Sequence, residues 1–323
     1  LLVLSAYKYR IYPKKEREMR LKRSLLLLCD LYNWLRVRKI EEYKEHGASL
    51  MLTDLRGMAL EGRKKSQELQ SVYSQVVQNV ADRVYTVFKN YFEGRVRFPR
   101  SKNPRKYLSL TYPQSGFELR AGRLYLPKIG HVRVFLHRAI QGKIRRLTIK
   151  YEVGEWYAVF ITEREASEKP DIKSIPDERI TGADLGLHNF VVLDNSESAE
   201  YPRFLRRSEE KMRELQRRLS GKQKGSKRWR QLSFSLARLH QHVKRQRNEY
   251  QNKLLSKLFK GSDVLVLEKL NVQGMMRNHS LAKSMADSSF GKFISKTLFK
   301  ADVLGKYFVA VDLGAQPSSA TIA

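Results

Sequence analysis

Apolar and polar residues alternate from Leu2 to Tyr12, the period of a half-buried strand, and Pro13 stops the run. Leu21, Leu25, Leu28, Tyr32 and Leu35 then recur every three or four residues, which predicts a helix that Gly47 ends. A second helix is predicted from about 71 to 92, with Val72, Val76, Val80, Val84, Val87 and Tyr91 on one face. Both stripes read as helix–helix core without chemistry. Short strand patterns follow at hairpin spacing, over 107–112, 117–120, 123–126, 131–135, 144–151 and 155–162, with turns at Ala121-Gly122 and Val153-Gly154. This spacing predicts a barrel-like β domain. Residues 166–178, with two prolines and many charges, read as a linker. Beyond it come strands at 180–186 and 190–193, two long basic helices broken between Gly221 and Gly225, and a very apolar strand from Val264 to Leu267 that ends at Glu268. A helical stretch around 287–305 and a strand at 307–311 close the readable order.

Charge adds a partner to this α/β outline. Among 323 residues, 63 Lys and Arg face 33 acids, a formal charge of +30, while 41% hydrophobic content excludes wholesale disorder. Such an excess repels itself and attracts polyanions, so nucleic acid is the leading partner. Half the surplus lies in 203–260, which holds 19 Lys and Arg against 4 Glu. Lys222, Lys224, Lys227, Arg228, Arg230, Lys244, Arg245 and Arg247 are candidate phosphate contacts there, and Trp229 serves either base stacking or core packing. Arg95, Arg97, Arg100, Lys102, Arg105 and Lys106 form a second basic stretch with no acid and two prolines, read as a phosphate-contacting loop or a solvated linker. The single cysteine, Cys29, excludes a disulfide framework and a cysteine-based zinc site within the chain. No apolar run reaches the ~20 residues that span a bilayer, and no signal peptide is recognisable, so a cytoplasmic location with no membrane partner is expected.

Two acids stand out. Asp184 lies within an apolar strand between Gly182 and Gly186, and Glu268 follows four apolar residues. Burying either is expensive unless it is paired or coordinates a cation. Read singly, each is a strand-end acid facing water or a lysine. Together, in so basic a chain, they suggest phosphodiester chemistry with Mg2+.

The residues carry a resemblance. Ala6-Tyr7-Lys8-Tyr9-Arg10-Ile11-Tyr12-Pro13, the stretch from Gly122 to Gly130, Gly182-Ala183-Asp184-Leu185-Gly186-Leu187-His188-Asn189-Phe190, and Leu267-Glu268-Lys269-Leu270-Asn271-Val272 with Gly274-Met275 resemble, in order, four motifs of the TnpB (OrfB) family of insertion-sequence proteins, relatives of the compact type V CRISPR effectors. The resemblance implies a wedge β domain (1–13 and 94–165) interrupted by a helical recognition module (14–93). A linker (166–178) then leads to an RNase H-like RuvC domain (179–323) carrying the basic hairpin 203–260. It further implies a guide RNA from the transposon end, a double-stranded DNA target, a nucleoid-associated location, and Asp184 and Glu268 as Mg2+ ligands, with Asp184 bridging two ions. One departure accompanies the match. The family continues past a Pro and a Ser pair into a four-cysteine zinc ribbon and a helix with a third catalytic Asp. Here Gln316-Pro317-Ser318-Ser319 is followed only by residues to Ala323, and Asp312 is the sole nearby acid, at a position the family does not use. The expectation is a C-terminally truncated member without zinc, RNA-guided but impaired in cutting. An active endonuclease, a non-catalytic RNA-binding protein and a decayed gene product are the alternatives.

Overall fold

A computed structural model describes residues 2–268, 270, 272–277, 279–311 and 321–322. It divides into two compact units, residues 2–164 and a second that begins at Glu165. In the first, strand β1 (Leu2–Tyr12) buries its alternate residues Val3, Tyr7, Tyr9 and Ile11. Four helices follow: α1 (Lys15–His46), α2 (Leu52–Lys65), α3 (Gln67–Gln70) and α4 (Ser74–Phe92). Strands β2 (Ser109–Tyr112), β3 (Glu118–Arg120), β4 (Arg123–Leu126), β5 (Gly130–Phe135), β6 (Lys143–Glu152) and β7 (Glu155–Glu165) complete the unit. They join β1 in one seven-stranded sheet of order β2-β6-β7-β1-β5-β4-β3. The first strand of the chain thus sits inside a sheet whose other members come after the helices. A single apolar core joins the two parts, from Tyr9 and Phe160 in the sheet to Leu28 and Val80 in the helices.

The sequence pattern missed α2. Its buried face is small, essentially Leu55 and Ala59, and Gly57 and Gly62 lower its helix propensity by about 1 kcal/mol each. Tertiary packing supplies what propensity lacks, since both residues are fully buried.

The second unit opens with short turns in which Ile175 is buried against Val264 and Val309, so the stretch read as a linker contributes to a core. Then come β8 (Ile180–Asp184), β9 (Asn189–Leu193), β10 (Ser198–Glu200), α5 (Phe204–Ser220), α6 (Lys227–Gly261), β11 (Val264–Glu268), α7 (Val272–Arg277), α8 (His279–Ser288), α9 (Phe290–Leu304), β12 (Tyr307–Val311) and β13 (Thr321–Ile322). The sheet order is β10-β9-β8-β11-β12-β13. β8, β9 and β10 form an antiparallel meander, and β11 lies parallel between β8 and β12. Because side chains alternate along a strand, the two faces differ. Leu265, Leu267 and Phe308 join Phe190, Leu255, Leu258, Phe290 and Phe293 in a large core with α6 and α9. Among the described residues the opposite face carries the small cluster of Val264, Val309 and Ile175, with Val266 and Val311 beside it. Among the described residues no helix is long and apolar enough to cross a membrane.

Candidate functional site

The register decides what the two acids do. Residues 264–267 of β11 pair in parallel with residues 180–183 of β8, so the next step along each strand brings Glu268 alongside Asp184. Neighbouring strands lie about 4.8 Å apart, and residues in register point to the same face. That face is the thinly covered one, since Asp184 shares it with Gly182 and Glu268 with Val264 and Val266. Asp184 is exposed and Glu268 half-buried. Asp184 stands at the strand's last position, exposed, where the strand meets water. Among the described residues neither acid is paired with a lysine or arginine, and no third His, Cys, Asp or Glu joins them in a metal-binding group. Hard oxygen donors side by side at the ends of two neighbouring strands fit a divalent cation such as Mg2+. Lys269, Asn271, Asp312 and the stretch from Gln316 to Ser319 lie outside the described residues.

Two devices that sequence reasoning missed hold these strands in place. Asp263, just before β11, accepts from Arg179 Nε at 2.8 Å and Arg179 Nη2 at 2.9 Å, and Lys306 Nζ lies 3.0 Å away. Its own N–H donates to Arg179 O, and its carbonyl accepts from Tyr307 N. One residue thus ties together the starts of β8, β11 and β12. The Arg179 and Lys306 cations hold its carboxyl well below the usual range, at about 2. The second device is at Gly182, whose N–H donates to Asp194 Oδ2 at 2.7 Å. A Cβ on Gly182 would stand 3.3 Å from that oxygen, and one on Gly186 would meet Asn189 O at 2.9 Å. The two glycines around Asp184 are therefore explained by the tight β8–β9 connection. The only signal for Asp194 was the turn-forming run Asp194-Asn195-Ser196.

The basic hairpin forms as expected. Ser226 caps α6 by accepting from Trp229 N, and Lys222, Lys224, Lys227, Arg228 and Arg230 are exposed. Arg217, Arg218, Lys222 and Arg228 line a groove of about 720 Å3 between the two helices. Trp229 is half-buried, and Lys244 and Arg245 lie exposed further along α6. Arg247 is different. Its guanidinium donates to Asp287 Oδ1 at 3.0 Å through Nε, with Nη2 at 2.7 Å, and the Asp287 side chain is 2% exposed. Asp287 also accepts from Leu205 N. Arg247 thus differs from its basic neighbours in having a buried carboxylate as its partner.

In the first unit the basic stretch before β2 is a built loop. Asn33 of α1 donates to Lys102 O at 3.0 Å and accepts from Lys102 N at 2.7 Å, while Arg36 Nε donates to Pro99 O at 2.8 Å. The buried Cys29 thiol also points at Lys102 O, and burial pushes its pKa up, as suits a structural cysteine. With the backbone clamped, Arg97, Arg100, Arg105 and Lys106 are exposed. Arg95 pairs with Glu93 at 3.0 Å, and the Lys102 ammonium lies 5.6 Å from the Tyr32 ring centre.

Comparison with known proteins places this geometry. Residues 164–279, which include both acids and the hairpin, match the family OrfB_IS605, described as probable transposase. The chain is 25% identical over 278 residues to the Escherichia coli (strain K12) protein named "Putative RNA-guided DNA endonuclease InsQ", covering 85% of this chain and 68% of that protein. It is 26% identical over 327 residues to a Streptomyces pristinaespiralis protein named "Putative RNA-guided DNA endonuclease", covering 96% and 78%. Its fold is similar to a chain in the cryo-EM structure of the Cas12f1-sgRNA-target DNA complex, with a TM-score of 0.59 at 11% identity over 96% of this chain and 89% of that one. The resemblance to the TnpB (OrfB) family and to a compact type V effector, drawn from the motifs, is borne out.

Proposed function

We propose that this chain is a transposon-encoded, RNA-guided DNA-binding protein of the TnpB (OrfB) type, whose second unit is an RNase H-like (RuvC) nuclease domain. The observation that carries the proposal is the meeting of Asp184 and Glu268. Separated by 84 residues in sequence, they come side by side at the ends of parallel strands, on the face left open. A meander continued by parallel strands supports the RNase H-like reading. In this reading 1–13 and 94–165 form the wedge, 14–93 the recognition module, and the hairpin and the clamped basic loop hold nucleic-acid phosphates. The partners are a guide RNA from the transposon end and a double-stranded DNA target. Support comes from the names of the two relatives and from the RNA and DNA in the similar complex.

Asp184 and Glu268 would be the residues that hold Mg2+. When bound, such ions activate the attacking water and stabilise the leaving oxygen of the phosphodiester. The chain's own residues set the geometry: the Asp263 brace fixes the strand register, and the Gly182–Asp194 contact fixes the turn beside Asp184. Were these two carboxylates the only ligands, one ion would be held loosely and a second placed poorly, and guided binding would exceed cutting.

The test begins with the RNA that co-purifies from cells carrying the transposon. A single species overlapping the transposon end is expected; bulk ribosomal RNA would overturn the reading. With that RNA bound, Asp184→Ala and Glu268→Ala should each remove whatever Mg2+-dependent cutting of a matched duplex exists, with RNA capture unchanged. Efficient cutting by the 323-residue chain would overturn the two-ligand account and make Asp312 the next residue to substitute.

A further inference from the structure

Helix α9 presents Lys292, Lys296 and Lys300 at successive four-residue steps, which stack them on one side of the helix. Its other side is core: Phe293, Thr297 and Ala301 are buried. Lys296 Nζ donates to Asn248 O of α6 at 3.2 Å, and Lys300 Nζ to Ser256 Oγ at 2.6 Å. Lys292 lies within the fields of Lys244 and Arg247. Arg247 is already taken by Asp287. Four ammonium groups therefore line the junction of two helices, and among the described residues none has a carboxylate partner. The acids within reach on those helices are turned elsewhere, Glu249 to Lys253 at 2.8 Å and Asp302 to Lys169 at 3.2 Å.

The two hydrogen bonds tie α9 to α6, but the clustered charges themselves cost stability. Burial, with Lys292 adding to it, holds the Lys296 ammonium down at about 8. Burial likewise lowers the pKa of Lys300 and is the largest cause for Lys292. Like charges at four-residue spacing destabilise a helix. Phe299 lies along the same side of the helix, three residues beyond Lys296, and is 44% exposed where a core helix would bury it. Cations that track a backbone beside an exposed ring are what an unpaired nucleic-acid strand needs, because its bases are free to stack. A duplex would offer phosphates but no open base face.

We infer that the α9 face of Lys292, Lys296, Lys300 and Phe299, with Lys244 of α6, binds an unpaired stretch of RNA. The inference rests on the RNA-guided reading above and adds to it a second RNA surface, outside the hairpin groove.

The experiment measures binding of a labelled single-stranded oligouridine by the full chain across a salt series. Each lost phosphate contact removes about 0.7 from the slope of log K against log salt. The triple substitution Lys292→Gln, Lys296→Gln and Lys300→Gln should flatten that slope by about 2 and weaken binding at least tenfold near physiological salt. Phe299→Ala should weaken binding by about fivefold or more with the slope unchanged. Should the triple variant melt lower than wild type, the exposed Lys292→Gln alone carries the test, with a slope change of about 0.7. Wild-type affinity and slope in these variants, alongside a loss in Arg228→Glu/Arg230→Glu, would overturn this inference and leave the RNA-guided reading standing. Failure of the wild-type chain to bind oligouridine would overturn both. Equal losses on duplex DNA, with Phe299→Ala silent, would assign the face to a duplex and also overturn the inference.

Discussion

Substituting Arg247 by Met separates the structural account of the hairpin from a purely electrostatic one. The Asp287 carboxylate is 2% exposed and takes two contacts from the guanidinium, at 3.0 and 2.7 Å, plus the Leu205 amide. Without the guanidinium it keeps a backbone donor but loses its counter-charge inside the large core of the second unit. Breaking one side of a buried pair costs about 3–5 kcal/mol. Arg247 retains 21% exposure, so water can reach the site, and the lower end, about 3 kcal/mol, applies. With a urea slope of about 3 kcal/mol per molar, the midpoint of the second unit should fall by about 1 M. Hydrogen exchange of the β11 amides reads that unit separately from the first. Arg247→Met/Asp287→Leu should recover most of the loss, because replacing both partners leaves no unpaired charge. The reasoning is refuted if Arg247→Met stays within about 0.5 kcal/mol of wild type while the salt slope for RNA falls by about 0.7, the signature of a lost phosphate contact.

Three further outcomes are expected. Arg228→Glu/Arg230→Glu, at exposed positions on α6, should weaken RNA binding and flatten its salt dependence, and unchanged values in a filter-binding series would reduce the hairpin to a solvated face. Asp263→Asn should lower stability at pH 7 by about 1–2 kcal/mol, discounted for the partial exposure of Asp263 and Arg179. Because the folded carboxyl titrates at about 2, below its unfolded value, that advantage is complete above about pH 5 and fades as the pH falls. The gap between wild type and variant in urea titrations should therefore shrink to about half by pH 3, and a pH-independent gap would deny the ion pairs their role. Leu55→Ala, on the helix the sequence pattern missed, should cost about 2–5 kcal/mol by leaving a cavity under α4, and a loss near zero in thermal melts would mean α2 is dispensable.

What could be read from sequence followed from periodicity. Strand β1 alternates cleanly, and α1 and α4 carry wide apolar stripes, so their type was plain from Leu21 to Leu35 and from Val76 to Val84, although Phe88 rather than Val87 or Tyr91 completes the buried face of α4. α2 was not, because one leucine and one alanine make too small a stripe to register. The candidate site divides in the same way. An apolar run ending in an acid marks Asp184 and Glu268 individually, but their adjacency depends on the pairing of strands 84 residues apart. Arg247 could not be told from its basic neighbours, since Asp287 lies 40 residues further on and reaches it only through helix packing. The Asp263 brace was equally hidden: Arg179 and Lys306 stand at the starts of two strands that meet it only in the folded sheet.

The adjacency of two acids without a cationic partner among the described residues stands out in so basic a chain. Glu152 pairs with both Lys8 and Lys150, Glu209 with Arg213 and Lys283, and Asp263 with Arg179 and Lys306. Pairing is not universal, since Asp30, Glu165 and Glu210 also lack an ion pair among the described residues; what sets Asp184 and Glu268 apart is that they stand together. Among the described residues Asp184 and Glu268 have none, although they stand side by side and repel one another by about 1 kcal/mol across a water-like medium. The same protein that carries a basic surface over its helices thus keeps two neighbouring acids without a cationic partner, among the described residues, at the ends of two interior strands. A phosphodiester approaching the pair would be repelled unless a divalent cation lay between, which is the arrangement the proposed metal-dependent reading calls for.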